Sequence, residues 1–506
     1  MMGKVWLVGA GPGDIGLMTL RGREVLSDAE VVVYDALVGE SILGFIPDTA
    51  ERIYAGKHSG HHTIPQAEIN HILLEHALAG KRVVRLKGGD PFLFGRGGEE
   101  LELLVRHEVP FEIVPGVPSA LAVPAYNGIP VTHRDFCSSM HFVTGHMRAD
   151  RSLNIDFDAL AREGGTLVFL MGITALPDIM RGLINAGMNP DTPAAVLERG
   201  TTARQRRISA TVATLQEACV RAEVRTPAII IVGRVCALAD NFDWASRRPL
   251  HGAKVVVTRP RTLASELSSL LRAQGAEVLE FPAIRTVPIE GALEKAIDRL
   301  SHGVYQWLVL TSPSAVQVFM SALMQRFDIR ALSNVRIAVL GPGTQKALRK
   351  WHLNADFLPT QWNAQALGTQ LCSICAEGDS ILIPRSEIAS VELVSALGEK
   401  SSLRVEDIAA YRTEYTTEAA PEVRAAIERG DIDLAVFTSA STVRGFINGL
   451  RDVDCSHVHA VCIGPQTAAQ AEQCGLHATV AEQPTLSSLV EAAEKVAKQM
   501  KAVKQA

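Results

Sequence analysis

The sequence predicts an α/β protein with more than one domain, and three observations support that class. Short runs of valine, isoleucine and leucine alternate with helical patterns along the first half, as at Val31–Tyr34, 167–170 and Ala228–Val232. Such alternation is typical of α/β folds with buried strands. The pattern weakens over residues 236–252, and a new strand begins at Lys254. The second half then repeats one strand-and-turn pattern, which predicts two similar lobes.

Composition and charge restrict the class further. The chain has 506 residues, of which 47% are hydrophobic and 21% charged, and its net charge is -5. This length exceeds what one core supports, and the charge gives no reason to expect nucleic-acid binding. We expect no signal peptide and no membrane span, because no apolar run approaches the roughly 20 residues required. The 8 cysteines lack the spacing of a disulfide framework, so we expect a cytoplasmic protein.

A glycine-rich turn, residues 9–14, follows the apolar run 5–8. Glycines at the end of a first strand bring backbone N–H groups close to a ligand. A nicotinamide-binding fingerprint is one interpretation, since Asp35 follows the second strand, but Asp14 stands where a third glycine is needed. A plain strand-to-helix turn is the other interpretation.

The second half contains two copies of one pattern. Residues 308–316 are echoed by 434–443, and residues 338–344 by 461–467. Each copy ends its strands in a Thr-Ser and a Gly-Pro-x-Thr turn. We expect these turns to face a cleft shared by the two lobes, where small molecules bind in α/β proteins.

The motifs of the first half occur in a characteristic order. They are the segments 8–19, which contains the glycine-rich turn, 85–100, 114–117, 128–134 and 143–146. Over about residues 3–245 the chain closely resembles the uroporphyrinogen-III C-methyltransferases. The resemblance implies a two-lobed α/β enzyme, usually a homodimer, that binds S-adenosylmethionine between its lobes. It also implies two methylations of uroporphyrinogen III, at C2 and C7, to give precorrin-2, a precursor of sirohaem and cobalamin.

The resemblance also assigns site residues. It places the methyl donor against residues of both lobes: Pro12, Gly88, Gly89, Asp90, Leu93, Pro118, Ser119, Met171, Gly200 and Ala228. Asp35 and Lys57 match the proposed proton acceptor and donor of the family. A carboxylate there would stabilise the cation formed when a pyrrole carbon is methylated. One departure is the Pro118-Ser119 pair, which replaces the usual Thr-Ala, so a hydroxyl contact to the donor is lost or moved.

Arginines near this cleft are candidates for the carboxylates of the substrate. They are Arg21, Arg96 and Arg134. The histidines of segment 58–62 suggest a metal site, but no ordered cysteine or aspartate ligands accompany them, so we expect no metal.

Over about residues 252–495 the chain resembles uroporphyrinogen-III synthase, on the repeated turns and on the segments 258–260, 383–386 and 410–413. The resemblance implies a bilobed protein that cyclises hydroxymethylbilane with inversion of ring D and without a cofactor. It assigns Tyr411 to assist departure of the hydroxyl group; the alternative is an aromatic residue packed between the lobes. Four hydroxyl side chains are candidates for binding substrate carboxylates: Thr311, Ser312, Ser439 and Thr467.

The predicted organisation is therefore a bifunctional tetrapyrrole enzyme. Residues 1–245 form the methyltransferase, 246–252 a linker and 253–500 the synthase, whose lobes are 253–283 with 414–500, and 284–413. One alternative is a second half that binds tetrapyrroles without catalysis. Cys372 and Cys375 are spaced like a redox pair, but they end a helix rather than begin one, so we interpret them as structural.

Overall fold

The computed structural model describes residues 2–56, 64–146, 153–259 and 261–505. Contacts divide the chain into two compact units. The first unit comprises Met1–Pro282 and Glu418–Ala506, and the second comprises Ala283–Thr417.

The first sheet is parallel and has the strand order β3-β2-β4-β1-β5. Its strands are β1 (Lys4–Gly9), β2 (Val31–Tyr34), β3 (Glu51–Tyr54), β4 (Arg82–Lys87) and β5 (Phe111–Val114). Its helices are α1 (Leu20–Ser27), α2 (Glu40–Leu43), α3 (Gln66–Leu78) and α4 (Gly97–Arg106), and α5 (Ser119–Tyr126) follows β5 and packs against the second sheet. Val5 and Leu7 pack in one core cluster and Trp6 and Val8 in another. Burial on both faces explains why this strand reads as an unbroken apolar run.

The second sheet is mixed and has the order β6-β7-β10-β8-β9. Its strands are β6 (Met140–Thr144), β7 (Thr166–Leu170), β8 (Pro193–Glu198), β9 (Arg206–Thr211) and β10 (Ala228–Val232). Its helices are α6 (Phe157–Glu163), α7 (Leu176–Asn185) and α8 (Leu215–Arg221). Strand β10 runs antiparallel to both β7 and β8.

The second half of the chain supplies two more sheets. Its strands are β11 (Lys254–Val257), β12 (Glu277–Glu280), β13 (Ile284–Pro288), β14 (Trp307–Leu310), β15 (Arg336–Val339), β16 (Ser380–Ser386), β17 (Arg404–Tyr415), β18 (Leu434–Phe437), β19 (His459–Cys462) and β20 (Ala478–Val480). Its helices are α9 (Arg261–Ala273), α10 (Glu294–Ser301), α11 (Pro313–Arg326), α12 (Pro342–Arg349), α13 (Ala364–Ile374), α14 (Glu392–Gly398), α15 (Pro421–Glu428), α16 (Ala440–Gly449), α17 (Pro465–Gln473) and α18 (Leu486–Gln505).

The third sheet, β12-β11-β18-β19-β20, is parallel and belongs to the first unit. The fourth sheet, β13-β17-β16-β14-β15, forms the second unit, with β13 antiparallel to β17. Each lobe of the second half thus has its own sheet and helices. The predicted fold class, α/β throughout with a two-lobed first half and a bilobed second half, is confirmed. Among the described residues, no helix is long and apolar enough to cross a membrane.

Candidate functional site

Three glycine-containing turns meet at one edge of the first sheet, because β4, β1 and β5 are neighbours there. Gly11 and Gly89 exchange backbone hydrogen bonds, with N···O distances of 3.1 and 2.7 Å. A Cβ atom on Gly116 would lie 2.2 Å from the carbonyl oxygen of Gly89 and 2.7 Å from the Cα atom of Gly9. Side chains are therefore excluded where the turns meet. The carboxyl edge of a parallel sheet is where α/β proteins bind nucleotide-like ligands, so a cradle of this kind fits an adenosyl compound.

Asp90 holds two of these turns together. Its Oδ1 atom accepts from the N–H groups of Phe92 and Leu93, at 2.8 and 3.2 Å, and its Oδ2 atom accepts from Gly116 N–H at 3.1 Å. Asp90, which the sequence predicts as a donor contact, therefore also has a structural role. A carboxylate has about four acceptor sites, so these bonds leave room for a ligand.

Asp35 follows β2, one strand away from β4. Its Oδ1 atom accepts from Leu37 N–H at 3.1 Å, which fixes a short turn. The same turn packs against the predicted donor residue Gly88, since a Cβ atom there would lie 2.5 Å from the Cβ of Leu37. The structure thus brings the Asp35 turn beside the glycine turns.

A buried group of charges lies behind Asp35 and was not among the residues predicted from the sequence. Fully buried Glu100 accepts through Oε1 from Lys87 Nζ at 2.8 Å and from Arg85 Nε at 3.1 Å. Arg85 also lies 3.6 Å from the Asp35 carboxylate. Burial lowers the pKa of Lys87, and the adjacent Arg85 cation lowers it further. The available signal was the spacing of Arg85 and Lys87, two apart in a strand and hence on one face.

The remaining predicted donor residues lie on both lobes of the first half. Leu93 packs against a core cluster that includes Val123 of α5 and Val168 of β7. The Pro118-Ser119 pair lies at the start of α5, where Pro118 is the N-cap and Ser119 is the first helical residue.

Three predicted donor residues lie at ends of second-sheet strands, and Pro12 lies in the first glycine turn. Met171 follows β7 with φ of +56° and is 52% exposed. Gly200 follows β8, and half-buried Ala228 begins β10. The second lobe also bonds to the first glycine turn, since Asp14 N–H donates to Thr201 Oγ1 at 3.3 Å.

The structure does not bring the three candidate arginines together. Arg21 forms two hydrogen bonds to Glu112, of 3.0 and 3.1 Å, at the side of the sheet. Arg96 pairs with Glu99 at 2.6 Å just after the Asp90 turn, and Arg134 lies on an exposed turn. Of the three, Arg96 lies nearest in sequence to the glycine turns.

Lys57 and the histidines of segment 58–62 lie outside the described residues. Within the described ranges, no group of three or more His, Cys, Asp and Glu side chains is arranged to hold a metal ion.

In the second unit, Tyr411 of β17 is 5% exposed and its hydroxyl lies 2.9 Å from Ser312 Oγ. Burial raises the pKa of Tyr411. Ser312 is the N-cap of α11, where its Oγ atom accepts from Ala315 N–H at 3.0 Å. Thr311 lies between β14 and this cap. The phenol is therefore kept protonated and contacts a polar turn at a strand end. In that position it can donate a hydrogen bond to a ligand.

The matching turn of the other lobe belongs to the first unit. Ser439 is the N-cap of α16 and accepts from Thr442 N–H at 3.3 Å. Its Oγ atom also lies 2.9 Å from Ser441 Oγ. Thr467, in the first turn of α17, is only 5% exposed. Ser312 and Ser439 thus have the same local geometry, as expected from the repeated sequence.

Helix α13 ends at Ile374, so Cys372 and Cys375 lie at a helix C-terminus. Burial raises the pKa of Cys375 to about 11 and also raises that of Cys372. These are the properties of structural thiols rather than of reactive ones.

Comparison with known proteins extends this description to the whole chain. Residues 4–216 match the family model for tetrapyrrole (corrin/porphyrin) methylases, and residues 265–491 match that for uroporphyrinogen-III synthase HemD. The chain is 46% identical over 492 residues to the porphyrin biosynthesis protein HemD of Ruminiclostridium josui, covering 97% of each chain. The chain belongs to this family of porphyrin biosynthesis proteins. It is an enzyme with a methyltransferase domain and a uroporphyrinogen-III synthase domain.

Other relatives match the first half alone. An S-adenosyl-L-methionine-dependent uroporphyrinogen III methyltransferase of Methanosarcina barkeri is 52% identical over 239 residues, which are 47% of this chain and 94% of the relative. The chain spans about half the length of the siroheme synthases it matches, such as that of Edwardsiella ictaluri, at 51% identity over 48% of this chain and 52% of the relative. The crystal structure of uroporphyrin-III C-methyltransferase from Thermus thermophilus, complexed with S-adenosyl homocysteine, is 42% identical. It covers 46% of this chain and 99% of its own, with a TM-score of 0.41.

Proposed function

We propose that the first half methylates uroporphyrinogen III twice, at C2 and C7, with S-adenosylmethionine as donor, to give precorrin-2. The observation that supports this most directly is the meeting of three glycine turns beside the Asp35 turn. The turns leave a backbone-lined cradle at a sheet edge, and a relative 52% identical is dependent on S-adenosyl-L-methionine. S-adenosylmethionine would supply an electrophilic methyl group there.

The residues around the cradle have distinct roles in this proposal. Asp90 and the backbone of Gly88 and Gly89 would hold the polar end of the donor, while Met171 and Leu93 would offer apolar contact. Asp35 would stabilise the positive charge that develops on the methylated pyrrole and then accept its proton. The remaining donor contacts in the proposal are Pro12, Pro118, Ser119, Gly200 and Ala228. We propose Lys57 as the proton donor and Arg21, Arg96 and Arg134 as substrate contacts.

An isotope assay tests the methyltransferase proposal. The purified chain is mixed anaerobically with uroporphyrinogen III and methyl-labelled S-adenosylmethionine. The mass of the tetrapyrrole product is then measured by mass spectrometry. We expect two labelled methyl groups per tetrapyrrole, and a loss of at least about a hundredfold in rate for Asp35→Asn. A product with no label, or an undiminished rate for Asp35→Asn, would contradict the proposal.

We propose that the second half cyclises hydroxymethylbilane to uroporphyrinogen III with inversion of ring D and without a cofactor. The contact between Tyr411 and Ser312 supports this, because it places a protonated phenol beside a polar turn. The phenol would assist departure of the hydroxyl group, and Thr311, Ser312, Ser439 and Thr467 would bind carboxylates of the substrate. Chromatography of the isomers after incubation without methyl donor tests it: we expect the type III ring. A type I ring alone would support a second half that only binds tetrapyrroles.

The domain division 1–245, 246–252 and 253–500 stays a prediction, as do the lobe limits 253–283 with 414–500, and 284–413. We further propose a cytoplasmic homodimer formed through the methyltransferase half. Sedimentation of the full chain tests the oligomeric state, and a monomer at micromolar concentration would contradict it.

A further inference from the structure

The first lobe of the synthase half touches the methyltransferase half through a cluster of charges, which we call the clasp. Its members are Glu40, Arg204, Lys254, Glu277, Asp431 and Asp433. Glu40 and Arg204 belong to the methyltransferase half, and the other four belong to the lobe built on the third sheet. The clasp lies entirely within the first compact unit.

Lys254, the first residue of β11, is the centre of the clasp and is 4% exposed. Its ammonium donates to Glu40 at 2.6 Å and to Asp431 at 2.8 Å, and lies 3.3 Å from Glu277. Burial alone would lower the pKa of Lys254, but these carboxylates raise it above its usual value. One buried cation thus joins three acidic side chains from separate segments.

Two of those carboxylates also bind the methyltransferase loop 199–205. Asp431 accepts from Arg204 Nε at 2.9 Å, and Glu277 accepts from Ala203 N–H at 2.8 Å. Arg204 also donates to Asp433 at 3.0 Å. Asp431 and Glu277 therefore connect Lys254 to the loop that contains Gly200.

Both methyltransferase segments held by the clasp contact the first glycine turn. Gly39 precedes Glu40, and a Cβ atom on Gly39 would lie only 2.6 Å from the carbonyl oxygen of Gly13. In the second segment, Thr201 accepts from the backbone N–H of Asp14 at 3.3 Å. The clasp thus joins, through the synthase lobe, two segments that both pack against one turn.

We propose that Lys254 and Asp431, residues of the synthase half, are positioning residues for the methyl donor site of the other half. They hold segment 39–43 and loop 199–205 against the turn that contains Pro12. The inference rests on the proposed function, because it assumes that the donor binds at this turn. The affinity for the donor therefore depends on charges outside the methyltransferase half. Removing one of these charges should change the affinity about fivefold or more, as is typical of coupled sites.

Asp431→Asn tests the inference, because it keeps the shape of the side chain and removes only its charge. S-adenosylhomocysteine is titrated calorimetrically into the full chain. We expect its Kd to rise at least about fivefold in Asp431→Asn and to recover partly in Asp431→Glu. The matched control is Glu428→Gln on α15 nearby, where Glu428 pairs with Arg424 at 2.9 Å on the surface. Its Kd should stay within about twofold of the parent, since exposed pairs contribute little.

The outcomes separate the two proposals. Failure of the parent chain to bind S-adenosylhomocysteine would contradict the proposed function. Normal binding by the parent and equally tight binding by folded Asp431→Asn would overturn the clasp inference alone.

Hydrogen exchange of the unmodified chain decides the matter if the variant does not fold. Coupling between sites is reciprocal, so S-adenosylhomocysteine should slow amide exchange on the synthase side of the clasp. Asp433 N–H, which donates to the carbonyl oxygen of Lys254 at 3.0 Å, is the amide to follow. Slower exchange there supports the inference, and protection confined to residues 9–14 and 199–205 overturns it.

Discussion

Replacing the buried Glu100 by glutamine should destabilise the methyltransferase half strongly. In the native chain its Oε1 atom accepts from Lys87, Arg85 and Gln66, at 2.8, 3.1 and 3.1 Å. Glu100→Gln keeps the side-chain volume but removes the buried counter-charge between Lys87 and Arg85, and leaves only the Asp35 carboxylate, 3.6 Å from Arg85, near the two cations. Removing one member of a buried charged group costs about 3–5 kcal/mol of unfolding free energy. For a domain of this size that corresponds to a fall of roughly 6–20 °C in Tm.

Scanning calorimetry of the full chain measures this fall. The transition of the methyltransferase half is identified as the one that S-adenosylhomocysteine shifts upward. The matched control is Glu102→Gln on the same helix, whose partner Arg106 lies 3.9 Å away with both side chains about 70% exposed. Its Tm should change by no more than about 4 °C, because exposed ion pairs contribute at most about 1 kcal/mol.

The pH dependence of the Glu100→Gln effect has a defined sign. The folded-state pKa of Lys87 lies below the usual value for a lysine, and losing the Glu100 charge lowers it further. Between the folded and unfolded pKa values the unfolded chain binds more protons, so stability rises with pH. The destabilisation should therefore shrink as the pH rises from neutral towards the usual pKa of a lysine, about 10.4. A loss below about 1 kcal/mol, or one that does not shrink at high pH, would refute this account of the buried charges.

Three further predictions concern the glycine turns, the synthase phenol and the thiols. Gly116→Ala places a Cβ atom 2.2 Å from the carbonyl oxygen of Gly89, so S-adenosylhomocysteine binding should weaken at least about tenfold by calorimetry. The control Gly98→Ala, whose Cβ atom meets nothing within 4 Å, should bind S-adenosylhomocysteine normally. Equal affinities of the two variants would contradict the assignment of the glycine turns to the donor site. Tyr411→Phe should lower the synthase kcat at least about tenfold without changing Tm by more than a few degrees, whereas Tyr305→Phe in the same unit should retain activity. An unchanged kcat for Tyr411→Phe would leave that residue a packing role only. Burial raises the pKa of both Cys236 and Cys462 to about 12, so mass spectrometry should find neither alkylated by N-ethylmaleimide at pH 7 until the chain is unfolded.

Much of the fold could be predicted from the sequence, because its signals are local. Strand β1 is an apolar run buried on both faces and followed by glycines, and the serines that cap α11 and α16 follow the apolar strands of a repeated pattern. In these segments periodicity, turn chemistry and burial agree, and such agreement is what makes a sequence predictive.

The pairing of the buried charges behind the candidate site could not be predicted. Arg85 and Lys87 sit in a strand that the apolar pattern identifies as buried, and their pairing with Glu100 depends on how α4 docks. Within the clasp, the ion pair of Glu40 and Lys254 joins residues that are 214 positions apart. No local sequence pattern predicts such a contact. For Asp90 the sequence predicts a ligand contact but not the structural role. Its carboxylate also accepts hydrogen bonds from the backbone of its own loop and from Gly116. Tertiary contacts decide such cases, and the local sequence does not contain them.

The measurement that tests the central claim most directly is a one-vessel anaerobic reaction of the full chain with hydroxymethylbilane and methyl-labelled S-adenosylmethionine. If one chain performs both reactions, the product is a type III tetrapyrrole with two labelled methyl groups. Omitting the donor should leave unmethylated uroporphyrinogen III. Formation of the type I ring, or of a type III ring that gains no label, would contradict the assignment of two consecutive activities to this chain.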